Sequence, residues 1–279
     1  MLVAGCGWLG RAVGRELSRR GDRVIGIRRD PAAGTELERD GIRPLIVDLA
    51  TVSAARSLPG GVDAVIACPA PADPGVEAYR RSYVDAVATL VDRYAAELDR
   101  AFVYTGSTGV FGQRDGGQVD ERSPTLPTSP TAGVLVEAEQ LVLASGVGSI
   151  VRLSGLYGPS RYGVIDRVRN GRLALGPADG RFMNFCHLDD AVRSVVAAID
   201  RGRPGTVYHA SDAEPTRRRE VIRWIAARAG FDPTVGTGDD AAEGPDRRVS
   251  AVWSREALGV ELAYPSFRDG LADAISRAC

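Results

Sequence analysis

The 279-residue chain contains no lysine, so all 35 of its basic residues are arginine. That absence excludes Schiff-base chemistry, a P-loop phosphate lysine and any tyrosine activated by a neighbouring lysine. Histidine is nearly as scarce, with only His187 and His209, and the four cysteines (Cys6, Cys68, Cys186, Cys279) form no C-x-x-C pair. No metal site is therefore expected, and the thiols read as reduced cytosolic ones. No apolar run approaches the length of a membrane span, and the chain opens directly into Leu2-Val3-Ala4 without a charged leader, which points to a cytoplasmic protein. With 36 acidic residues against 35 basic ones, the net charge of -1 creates no field to gather nucleic acid or an anionic membrane. A small-molecule partner is expected instead.

What is present suits a globular core: 44% of the residues are hydrophobic and 25% charged. Apolar runs at Leu2 to Ala4, Arg23 to Ile27, Ile42 to Val47, Ala64 to Cys68, Ala101 to Thr105 and Ser149 to Leu153 read as strands. Helical patterns at Leu9 to Arg20, Gly34 to Arg39, Val76 to Leu98 and Ala132 to Ala144 alternate with them. Strands that are apolar throughout, separated by helices, predict an α/β fold with a doubly wound parallel sheet of Rossmann type. After Leu153 the rhythm breaks into a segment rich in Gly, Arg and Pro. A strand (Thr206 to Ala210), a helix (Arg217 to Ala229) and a last helix from Ser266 follow. Residues 1–155 thus read as a cofactor domain and 156–279 as a smaller substrate lobe, with about 184–211 able to return elements to the sheet. Thr234 to Pro245 reads as a mobile loop.

Gly5-Cys6-Gly7-Trp8-Leu9-Gly10 is G-x-G-x-x-G between the first strand and the first helix. Glycines there permit a tight turn and let backbone N–H groups and the helix N-terminus approach a pyrophosphate. The second strand runs into Arg28 and Arg29 where an NAD-binding fold usually has a carboxylate for the ribose hydroxyl. Two guanidinium groups suit a 2'-phosphate, so NADP is favoured, while Asp30 keeps an NAD reading open. Asp48 and Cys68, at the ends of later strands, are expected beside the cofactor.

The chain resembles the atypical extended short-chain dehydrogenases, the NAD-dependent epimerase/dehydratase group. The segments that carry the resemblance are Gly5 to Gly10, Phe102 to Gly112, Val119-Asp120-Glu121, Glu137-Ala138-Glu139, Arg152 to Pro159 and Asn184 to Ala191. It implies a cofactor on the amino-terminal sheet, with Leu156 beside the nicotinamide and a substrate cleft against the carboxy-terminal lobe. It also implies Ser107 as the catalytic hydroxyl, with Thr108 as its alternate. The family tyrosine and lysine positions fall on Thr131 and Leu135, so the proton donor is missing; Tyr83 and Tyr157 are candidate substitutes, and Tyr104 reads as core packing. His187 reads as structural, with Asp189 and Asp190 capping the helix that follows. Arg161, Arg167 and Arg181 are candidates to grip an anion, and the helices at 76–98 and 132–144 are candidates for a homodimer contact.

The expected activity is an NADP(H)-dependent oxidoreductase that reduces an activated C=N, C=C or C=O of a small metabolite. Three alternatives stay open: a sugar-nucleotide epimerase or dehydratase, a non-catalytic NADP-binding sensor, and non-redox chemistry in an inherited pocket.

Overall fold

A computed structural model describes residues 1–98, 100–177, 179–235 and 244–278. The main sheet is built from β1 (Leu2–Ala4), β2 (Val24–Arg28), β3 (Ile42–Ile46), β4 (Ala64–Ala67), β5 (Ala101–Ser107), β6 (Gly148–Leu153) and β7 (Val207–Ala210). These seven strands stand in the order β7-β6-β5-β4-β1-β2-β3, every neighbouring pair parallel. The strand order reverses at β1, which lies between β2 and β4, and the crevice at the carboxyl ends of those strands is where a ligand meets such a sheet.

Each face of the sheet is sealed by two helices. On one side α1 (Trp8–Arg19) and a later helix over Leu188–Arg201 bury Val13, Leu17, Val195 and Ile199 against Val3, Val103 and Val151. On the other side, residues 76–94 and Pro130–Ala144 bury Val87, Leu90, Val134 and Val142 against Leu2, Val65, Phe102 and Ile150. In chain order the helices after α1 are α2 (Gly34–Arg39), α3 (residues 76–94), α4 (Pro130–Ala144), α5 (Leu188–Arg201), α6 (Arg218–Ala229) and α7 (Phe267–Ala278).

Helix α3 is not the uninterrupted α-helix that its periodicity predicts, because Arg80–Asp85 forms a π-helical turn. Adjacent arginines at its start point apart: Arg80 binds Glu137 of α4 through two contacts of 2.7 Å, while Arg81 reaches Asp48 at 2.5 Å. Glu137 therefore faces α3 and not a cleft.

Beyond β6 the chain forms a third apolar centre from Ile165, Val168, Phe185, Val221, Ile222 and Phe267. Short helices at Gly163–Arg169 and Val252–Leu258 were not apparent in the sequence. The first sits in a Gly- and Arg-rich stretch and is held by burying Ile165 and Val168, a tertiary effect that outweighs local propensity. Of the expected mobile loop, residues 236–243 lie outside the described residues.

Candidate cofactor and substrate site

The glycine turn is shaped by close approach. Gly5 has φ +74°, and a Cβ there would lie 2.2 Å from the Cys68 carbonyl oxygen. A Cβ at Gly10 would lie 2.5 Å from the Gly5 carbonyl oxygen, so this glycine lets α1 pack onto the turn. Helix α1 starts without a side-chain cap and with no acidic residue in its first turn. Its leading N–H groups and the positive end of its dipole therefore face the crevice unneutralised.

A cavity of about 350 Å³ opens there, lined by Gly5, Gly7 and Trp8 at one end and by Arg28, Arg29, Asp30 and Asp48 at the other, with Cys68 in its wall. Arg28 donates to the Cys6 carbonyl at 3.2 Å. The two acids beside the arginines are engaged. Asp30 accepts the Ala32 N–H at 2.9 Å, and Asp48 accepts from the Ala50 N–H and from Arg81. Burial opposes the Asp48 charge, but these donors outweigh it and hold the carboxyl below its ordinary value. Burial pushes the thiols of Cys6 and Cys68 up to about 12, which makes them packing groups without thiolate reactivity.

Of the other residues expected at the cofactor, Leu9 and Gly10 are not part of this wall: Leu9 packs on the core beneath α1 and Gly10 serves the packing described above. Leu156 lines a second cavity instead, of about 710 Å³, together with Thr108, Arg161, Phe182, Met183 and Arg247. The two cavities meet at Arg161, which lines both. Its guanidinium lies 4.7 Å above the Trp8 ring, and the Trp8 indole donates to the Pro159 carbonyl at 2.9 Å. This clasp joins residues 151 positions apart, so no local pattern announces it.

The catalytic candidates separate. Ser107 ends β5, and its Oγ accepts the Gly109 N–H at 3.0 Å, which leaves its own O–H to donate, but like Thr131 it lines neither cavity. Thr108 does not duplicate it. Its side chain is buried and points to the Leu153 carbonyl at 3.4 Å, and only its carbonyl faces outward, accepting from Arg247 at 2.7 Å. Thr131 is in the first turn of α4 with its hydroxyl 3.1 Å from that of Ser129, the helix cap, and it lines neither cavity. Leu135, at the lysine position, is buried with Val110, Phe111 and Val119.

Tyr157 is also displaced from the role expected of it. Its hydroxyl has no hydrogen-bond partner and packs against Gly270 of α7, and burial, with the nearby Asp212 charge, drives its pKa far upward. Burial likewise lifts Tyr83 to about 12, and Tyr104 is a core residue.

The cap of α5 is His187 itself, whose Nδ1 accepts the Asp189 N–H at 3.2 Å, rather than the two aspartates. Asp189 and Asp190 sit inside the first turn, where negative charge favours the helix dipole. Asp190 instead accepts the N–H groups of Ala263 and Tyr264. Burial lowers the pKa of His187.

A parallel sheet in this order, with a glycine turn at its switch point and a second cavity formed by carboxy-terminal segments, defines the extended short-chain dehydrogenase class of Rossmann proteins. The family model described as the NAD dependent epimerase/dehydratase family matches residues 1–211, and the chain belongs to that family. It is 30% identical over 275 residues to Protein YeeZ of Escherichia coli (strain K12), covering 94% of this chain and 95% of that protein. It is 28% identical to a 3-diazoavenalumate denitrifying reductase of a Streptomyces species, covering 97% of this chain and 98% of the other. A solved structure of a conserved protein of unknown function from Silicibacter pomeroyi superposes with a TM-score of 0.73 at 27% identity, covering 99% of this chain and 98% of that one. Among the described residues no helix is long and apolar enough to cross a membrane.

Proposed function

We propose that the protein is an NADP(H)-dependent oxidoreductase that reduces an activated C=N, C=C or C=O group of a small organic molecule. The observation that carries the cofactor reading is the polar end of the first cavity. Arg28 and Arg29 stand where the ribose of the adenosine half would lie, and Asp30 and Asp48 are occupied by Ala32 and Arg81. A pair of guanidinium groups with the competing carboxylates engaged suits a phosphomonoester better than a bare ribose hydroxyl. The residues fit the cofactor at its other end as well, since the uncapped first turn of α1 offers N–H groups to the pyrophosphate and the turn at Gly5 keeps side chains out of its way.

When bound, the reduced cofactor supplies a hydride. This chain's residues bind and orient: Ser107 keeps one free O–H to donate to an acceptor oxygen or nitrogen. The direction of the reaction follows from what is absent. Thr131 is tied to Ser129, Leu135 is in the core, and burial disfavours ionisation of Tyr83 and Tyr157. A positioned base is worth roughly 10²- to 10⁴-fold, and oxidation of an unactivated alcohol needs one. Reduction of an electron-poor acceptor needs it least. That a relative of nearly equal length carries the name of a reductase supports the same direction.

Titration calorimetry with NADPH and NADH tests the reading. NADPH is expected to bind tighter than NADH by about 10- to 100-fold, with Arg28→Ala and Arg29→Ala erasing most of the difference. Equal affinity for the two, or heat from neither, would overturn it.

A further inference from the structure

We infer that Arg247 is the anchor for a carboxylate on the substrate, so that the acceptor is an organic acid with an apolar body. The clause about an acceptor rests on the reductase reading above; the anion site itself does not. Arg247 projects from a segment fixed on both sides. Asp246 accepts the Phe182 N–H at 2.8 Å, and Asn184 holds both the Arg247 carbonyl, at 3.0 Å, and the Val249 N–H, at 2.7 Å. Arg248–Val249 pairs with Gln118–Val119 as a short parallel ladder. The guanidinium is thereby held at the wall of the second cavity, where Nη2 donates to the Thr108 carbonyl at 2.7 Å.

What remains of the group is unused. Among the described residues its Nε has no hydrogen-bond partner and its charge no ion pair, and burial lowers its pKa to about 10. The contrast is with Arg152, equally an inward-facing arginine, whose charge is met by Glu139 through two hydrogen bonds of 2.9 and 2.7 Å. A half-buried guanidinium at a cavity wall that no described acid pairs is a preformed receptor for a small planar anion. The same cavity carries Arg161, Asp166 and Arg167, and on another side Leu156, Phe182, Met183 and Phe185 offer an apolar surface for the body of the ligand. Arg247 grips the backbone of the residue that follows Ser107, which ties the anchor to the end of β5.

The probe is phenylpyruvate, compared with its methyl ester and with inorganic phosphate, titrated calorimetrically into the full chain with and without saturating NADPH. Phenylpyruvate is expected to bind, and the ester to bind about 10- to 100-fold more weakly, as does phenylpyruvate to Arg247→Gln. Arg247→Lys, which keeps the charge, recovers part of the loss, and NADPH affinity is unchanged in both variants. Equal binding of acid and ester, phosphate tighter than phenylpyruvate, or an unaffected Arg247→Gln would each overturn the inference. The ester comparison needs no variant, so it decides the matter if Arg247→Gln fails to fold. Arg247-dependent binding of phenylpyruvate to a chain that takes up neither nicotinamide coenzyme would leave the anchor standing and remove the reductase reading.

Discussion

Arg152 and Glu139 show how single side chains hold the site in place. The pair joins β6 to α4 beneath Ser107, with side chains only 6% and 4% exposed, and Arg152 also lies 5.0 Å over the Phe111 ring. Burial raises the Glu139 pKa, and the Arg152 hydrogen bonds work against that rise. Removing one partner strands a charge in a water-free layer, whereas removing both leaves only a packing problem. Arg152→Met is therefore expected to cost about 3–5 kcal/mol in urea unfolding, and Arg152→Met combined with Glu139→Leu to cost far less. A double variant as unstable as the single one would show that the pair is not the source of the loss.

Glycine and proline placement explains most of what was legible at the level of elements. The turn from Gly5 to Gly10 could be read from its glycines, and the parallel strands and the helices between them from apolar runs, because the inner strands are buried on both faces, whereas β3 is partly open. A Cβ at Gly5 would meet the Cys68 carbonyl and would also require a left-handed backbone. Gly5→Ala is expected to lower Tm and to weaken dinucleotide binding together, whereas Gly133→Ala, with nothing within 4 Å and in the first turn of α4, is expected to be neutral or slightly stabilising in the same melt.

The π turn in α3, the helix at Gly163–Arg169 and the clasp from Trp8 to Pro159 were not legible. Each is decided by partners far away in sequence: Asp48 and Glu137 for the first, the α6 core for the second, a carbonyl across the cleft for the third. Thr108 and Tyr157 illustrate the same limit. Residue type and motif position suggested catalysis, but direction in space was set by packing, which turned one hydroxyl toward Leu153 and the other toward Gly270. Arg247 lies in a polar stretch that no spacing distinguishes.

At the scale of the whole molecule, Asp212, His187 and His209 link stability to pH. Burial lifts the Asp212 carboxyl to about 8, well above its value of about 4 in an unfolded chain. A raised folded pKa means stability that is complete below pH 4 and drains away as pH climbs toward 8, because the unfolded chain gives up the proton first. His187 and His209 act in the opposite sense: burial lowers both, so they contribute stability that is lost as pH falls below their unfolded value of about 6.5. The difference between wild type and Asp212→Asn isolates the carboxyl. The variant is expected to match the wild type near pH 4 and to exceed it by roughly 1–3 kcal/mol at pH 8, read from denaturant melts. Parallel curves at the two pH values would remove Asp212 from the account.

The clasp over the crevice has an optical side. Trp8 is one of three tryptophans, and its indole borders the first cavity with a guanidinium stacked on it. Trp224 and Trp253 are placed elsewhere, against Phe267 and Tyr208. Replacing those two by phenylalanine would leave a protein whose tryptophan emission comes from the mouth of the crevice alone, a built-in reporter of ligand arrival. That is a useful property in a chain with no side-chain amine to which a dye could be attached.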